Sequence, residues 1–169
     1  MKGALHLIRD VTLASRFSLC YIRNMPKTFL LKSEPEVYSI DRLMREKKTN
    51  WDHVRNFQAR NVLRSCKVGD LALIYHSNDD RAVVGVSRVV REAYPDPDPE
   101  HPGDWSQIDV AFVMKLKQPV TLAEIKKTPE LADMPLIKQS RLSCMEIGKK
   151  EFELILKLGD SWADFRKLK

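Results

Sequence analysis

Apolar positions along the chain change their period several times, and each change marks an element. KTFLLKS (27–33) is short, apolar and bounded by Pro26 and Pro35, as a buried strand is. Ser39 then stands where a helix N-cap belongs, with IDRLMREKK (40–48) behind it, an acid in the first turn and cations in the last. Asn56 can cap a second helix, FQARNVLRSC (57–66), in which Ala59, Val62 and Leu63 form an i, i+3, i+4 stripe. Gly69-Asp70 turns into LALIYHS (71–77), a near-continuous apolar strand, and NDDR (78–81) turns into AVVGVSRVVREAY (82–94). QIDVAFVMKLK (107–117) alternates around Val110, Phe112 and Met114, as a half-buried strand does. PDPDPEHPGD (95–104) is too rich in proline for either element and reads as a surface loop. Thr121 caps LAEIKK, and KEFELILKL (150–158) is amphipathic at the helical period. Strands with interspersed short helices, but no regular βαβ alternation, predict an α+β fold on a mixed or barrel-like sheet.

Residues 1–24 read differently. Lys2, Arg9, Arg16 and Arg23 recur every seven residues, which places them on one helical face, with Leu7, Val11, Ala14, Tyr21 and Ile22 roughly opposite. Two readings stand: a mitochondrial targeting leader, or an upstream extension before a start at Met25, with a cytoplasmic or nuclear protein. Both put the functional domain at 25–169. The whole chain of 169 residues fits one domain, and 43% hydrophobic residues suffice for a core. The leader holds half of the formal net charge of +6, so the domain's mild basic bias permits nucleic acid without announcing it. Cys20, Cys66 and Cys144 are few and scattered, and His6, His53, His76 and His101 include no pair at helical ligand spacing. No metal, cofactor or membrane span is expected, nor a phosphate loop or nucleophile elbow, and a monomer is expected.

The chemistry concentrates in WDHVRNFQARN (51–61), where Trp51, Arg55, Asn56, Gln58, Arg60 and Asn61 surround a helix start. Unpaired N–H groups and amide side chains there suit a phosphate or a base edge. The plain alternative is that Asn56 only caps, Trp51 belongs to the core, and Arg60 and Arg64 are a solvated pair. Tyr75, His76 and Ser77 end a buried strand, where a fold opens a cleft, although a lone histidine is more often structural. SRLS places Ser140 and Ser143 around Arg141 and Leu142 in an edge strand or a turn, and KSEP places Lys32, Ser33 and Glu34 where the first strand ends.

Taken in order, FLLKSEP, WDHVRNFQARN, GDLALIYHS, VVGVSRVVREAYPD, IDVAFVMKLKQPVTL and SRLS resemble the EVE domain family across about residues 27–158. Three departures stand out: His53 where the family generally has glycine, Phe57 where tyrosine is common, and CMEI after SRLS rather than VQPV. The resemblance implies a PUA-like fold, a small mixed β-barrel decorated by short helices, that reads modified bases without being an enzyme. Methylated or hydroxymethylated cytosine in DNA and a modified base in RNA are the ligands it suggests. Carried over, the pocket comprises Lys32, Ser33, Trp51, Arg55, Asn56, Arg60, Tyr75, His76, Ser77, Arg141, Leu142 and Ser143. Trp51 and Tyr75 are expected to sandwich or floor the base, Asn56 and Ser33 to read its edge, and Arg55, Arg60 and Arg141 to hold phosphate or a base carbonyl. His53 is expected to contact or obstruct the slot. Two other classes stay open: a small hydrolase of modified nucleosides or RNA using Lys32 and Glu34 as acid and base, and a protein-interaction module.

Overall fold

The computed structural model of the chain describes residues 26–168 apart from Asp79, Pro99 and His101. The leader expected at 1–24 lies outside the described residues. Among the described residues, six strands form one sheet in the order β2-β5-β4-β3-β1-β6. These are β1 (Thr28–Ser33), β2 (Lys48–Trp51), β3 (Leu71–His76), β4 (Ala82–Pro95), β5 (Ser106–Thr121) and β6 (Cys144–Ile147). Only β1 and β3 run parallel; the β3–β4, β4–β5, β5–β2 and β1–β6 pairs are antiparallel. The sheet is therefore mixed, as the α+β expectation requires.

Its curvature comes from β4 and β5. These strands are 14 and 16 residues long, and their shared ladder slips register four times between Val83 and Tyr94. Each bulge bends the strand and raises its twist, which flat pairing cannot do. The curl is large enough to bring Trp51, on one edge strand, close to the thiol of Cys144 on the other. Gly85 lies at one of the slips: a Cβ there would sit 2.5 Å from Ile40 Cδ1 and 2.9 Å from the Met114 carbonyl oxygen. Glycine lets the strand and the neighbouring helix approach.

Among the described residues, six short α-helices decorate the sheet: α1 (Ile40–Glu46), α2 (Phe57–Ser65), α3 (Leu122–Lys127), α4 (Pro135–Lys138), α5 (Lys149–Leu158) and α6 (Trp162–Lys167). The caps read from sequence are present. Ser39 accepts from Arg42 N–H, Asn56 from Ala59 N–H, and Thr121 with Glu124 closes a capping box. The buried interior gathers Phe29, Leu30 and Leu31 of β1, Leu73 and Ile74 of β3, Ile108 of β5, Leu43 of α1 and Leu63 of α2 into one core. Each such side chain contributes roughly 1.5–3 kcal/mol relative to exposure.

Two expectations are corrected. Lys48–Trp51 is a strand and not the end of a helix or a loop: α1 stops at Glu46, Lys47 turns to φ 67°, and pairing with β5 from Lys48↔Ala111 to Trp51↔Ile108 sets the rest. KTNW is too short and polar to announce a strand by itself. Beyond Pro95, which ends β4, the described residues of the proline-rich segment form a loop, yet not wholly a surface one, because Asp96 is only 6% exposed.

Candidate base-binding site

The parallel pairing of β1 with β3 sets Lys32 beside Tyr75 and Ser33 beside His76 at the carboxyl ends of both strands. Lys32 is half-buried. Its backbone N–H donates to the Ser143 carbonyl at 2.8 Å, its Nζ donates to the Ser140 carbonyl at 2.8 Å, and the ammonium lies 5.8 Å from the Tyr75 ring centroid. Burial holds this ammonium below the ordinary lysine value. Trp51 packs edge-on against Tyr38, with centroids 6.3 Å apart at 80°. Ser33 Oγ donates to the Tyr38 carbonyl at 2.8 Å. Cys144, close to the Trp51 and Ser143 side chains, is pushed by burial up to about 12 and stays a neutral thiol.

Lys32, Ser33, Trp51, Tyr75 and Ser143 thus converge, with Tyr38 as a member that sequence reading missed. Its single aromatic ring between a turn and a cap gave no periodic signal. Trp51 is 7% and Tyr75 4% exposed, so the rings offer little surface to solvent. Leu142 is buried in the adjoining turn, and Arg141 is exposed beside it. A concavity of about 400 Å³ lined by Glu34, Pro35, Glu36, Asn78 and Arg81 opens where β1 ends.

Other expected members are engaged elsewhere. Both ring nitrogens of His76 are used: Nε2 accepts the Ile40 N–H at 3.1 Å, so the proton resides on Nδ1, which donates to Asp80 at 3.0 Å. His76 therefore caps α1 with both ring nitrogens engaged. Ser77 is tied by its backbone N–H to the Ser33 carbonyl. Asn56 Oδ1 accepts the Ala59 N–H at 3.0 Å and serves as the cap that the plain reading foresaw.

Arg55 is the main departure. Its Nη1 lies 2.7 Å from Asp96, its Nη2 and Nε lie 2.7 and 3.0 Å from Asp98, and its guanidinium lies 5.6 Å from the Trp105 ring centroid. A phosphate would have to displace two carboxylates that are 7% and 12% exposed. Arg55 fastens the 95–104 loop to the sheet, and nothing local in the sequence couples positions so far apart. Arg60 also faces that loop, donating to the Asp104 carbonyl at 3.0 Å. His53 takes a left-handed φ of 56°, which explains the glycine usual there, and its side chain is 76% exposed beside Asp52 rather than inside a slot.

The motifs and this geometry can be set against known proteins. The EVE domain family matches residues 27–158. The chain belongs to that family. Human Thymocyte nuclear protein 1 is 36% identical over 170 residues, covering 81% of this chain and 76% of the human protein. A crystal structure of human THYN1 protein in complex with 5-methylcytosine containing DNA superposes with a TM-score of 0.73 at 36% identity, covering 79% of this chain and 98% of that one. The YTH domain of Zygosaccharomyces rouxii MRB1 protein, 20% identical with a TM-score of 0.51 over 80% of this chain and 88% of that one, shares the fold. The EVE domain here is accordingly a PUA-like mixed sheet with short helices. Among its described residues no cluster of His, Cys, Asp and Glu could hold a metal ion, and no helix is long and apolar enough to cross a membrane.

Proposed function

We propose that this EVE domain is a non-enzymatic reader of a modified nucleobase in nucleic acid. The observation that carries the reading is the convergence of Lys32, Ser33, Trp51, Tyr75 and Ser143 at the carboxyl ends of the parallel strand pair. A half-buried ammonium fixed over an aromatic ring supplies a directed donor to a base carbonyl. The complex of the human relative with 5-methylcytosine containing DNA makes a methylated cytosine the first ligand to test. Arg141, exposed on the adjoining turn, is positioned for a flanking phosphate. The relatives' name points to the nucleus as the compartment.

Burying one methyl contributes only about 0.8 kcal/mol, roughly fourfold in affinity, so sharp selection needs a slot that also excludes the water around an unmodified base. The test is binding of the full chain to matched single- and double-stranded oligonucleotides carrying cytosine, 5-methylcytosine or 5-hydroxymethylcytosine. The expected result is preference for one modified member, lost in Lys32→Gln at an unchanged melting temperature. Equal affinity across the panel would overturn the reading, and turnover of the oligonucleotide would turn it toward a hydrolase.

A further inference from the structure

Arg60 and Arg64 stand four residues apart on one face of α2, an arrangement of like charges that is unfavourable without a shared anion. In the structure that anion is Asp104. Arg64 Nη2 binds its Oδ1, Arg60 Nη1 lies 3.6 Å from its Oδ2, and the Asp104 carbonyl accepts from Arg60 at 3.0 Å and Arg64 at 3.3 Å. Resting on the reading above only for the identity of its occupant, we infer that Arg60 and Arg64 form a second binding site, for one phosphodiester of a nucleic-acid backbone, filled in the free protein by Asp104 as an internal anion.

The contrast with Arg55 carries the argument. The carboxylates on Arg55 are covered, whereas Asp104 is 76% exposed. Asp104 is solvated while the Arg60 and Arg64 side chains are 15% and 37% exposed, so the carboxylate can leave to water, and a guanidinium fork fits a phosphate as well as a carboxylate. The two arginines stay in place when Asp104 leaves, because each has a further anchor. Arg64 Nε donates to the buried Ser106 hydroxyl at 2.8 Å. The Arg60 guanidinium lies 5.0 Å from the centroid of Phe57, which itself stacks on Trp105 at 5.1 Å and 26°. Phe57 is 65% exposed and offers apolar surface to the sugar or base next to the held phosphate. The first turn of the same helix touches the turn after α4 through Gln58 and Gln139, 2.9 Å apart.

The experiment measures the affinity of the full chain for a duplex with one central 5-methylcytosine and for its unmodified twin across a range of salt. It compares the wild type with Asp104→Asn, with Arg60→Gln/Arg64→Gln, and with the three changes combined. Removing the internal anion is expected to tighten binding to both duplexes about fivefold. It steepens the salt dependence by about 0.9 in log–log slope, leaves the methylated-to-unmodified ratio unchanged, and has no effect once both arginines are gone. Unchanged or weaker binding by Asp104→Asn, or a gain that persists without the arginines, overturns this site whatever the methyl ratio. A wild-type ratio of one alongside an intact Asp104→Asn gain overturns the base reading and leaves this site standing. No binding by either protein overturns both.

Discussion

His53 shows how a single position can be misread from residue type. An imidazole beside a proposed pocket suggests a ligand contact; the structure gives it a left-handed φ of 56° and an exposed ring. Glycine adopts that conformation without strain, so His53→Gly is expected to stabilise the fold by about 1 kcal/mol in urea unfolding while leaving ligand selectivity unchanged. The ring has its own signature. Its hydrogen bond to Asp52, and then the carboxylate's charge, raise its pKa above the ordinary 6.5. A histidine raised in the folded state contributes stability that is fully present below 6.5 and is lost as pH rises through the folded value. A proton titration of His53 should have a midpoint above 6.5 that falls back in Asp52→Asn. Arg55 and Asn56 make the same point. Their residue types suit phosphate and base, and their partners, Asp96 with Asp98 and the Ala59 N–H, use them for structure.

Among the elements, those with long periodic patterns were legible. β1, β3, β4, α1, α2 and α5 lie where the apolar spacing and the caps put them, within a residue or two, and β5 runs four residues past its expected end at Lys117 to Thr121. What escaped was short or paired at a distance. β2 has four residues and exists because β5 offers it a ladder, and β6 begins only after SRLS has turned. Gly85 belongs to this scale, since its value lies in the contact between β4 and α1. Gly85→Ala places a methyl against the Met114 carbonyl and Ile40, and a cost of about 1–3 kcal/mol is expected in chemical denaturation. Ile40→Val in the same chain should recover part of it, because the flexible neighbour gives way more readily than the backbone.

For the whole molecule, the sheet's curl decides what the site is. Trp51, on one edge strand and close to Cys144 on the other, lies in the core, so Trp51→Ala is expected to cost about 3–5 kcal/mol and to lower the melting temperature together with any binding. Lys32→Gln, at the rim, is the cleaner probe: equal destabilisation by the two changes in thermal melts would show that Lys32 also belongs to the scaffold. By itself the sequence determined the fold class, the main strands and helices, the caps and the family, because local periodicity and long ordered motifs are written in adjacent residues. Tertiary structure alone decided which polar side chains face a ligand. Arg55, Asn56, His76 and Arg60 look alike in a list of candidates, yet whether each is free depends on carboxylates and N–H groups that the curled sheet and the 95–104 loop bring from elsewhere in the chain. Hydrogen-bond partners are set by distance in space, and a sequence records only distance along the chain.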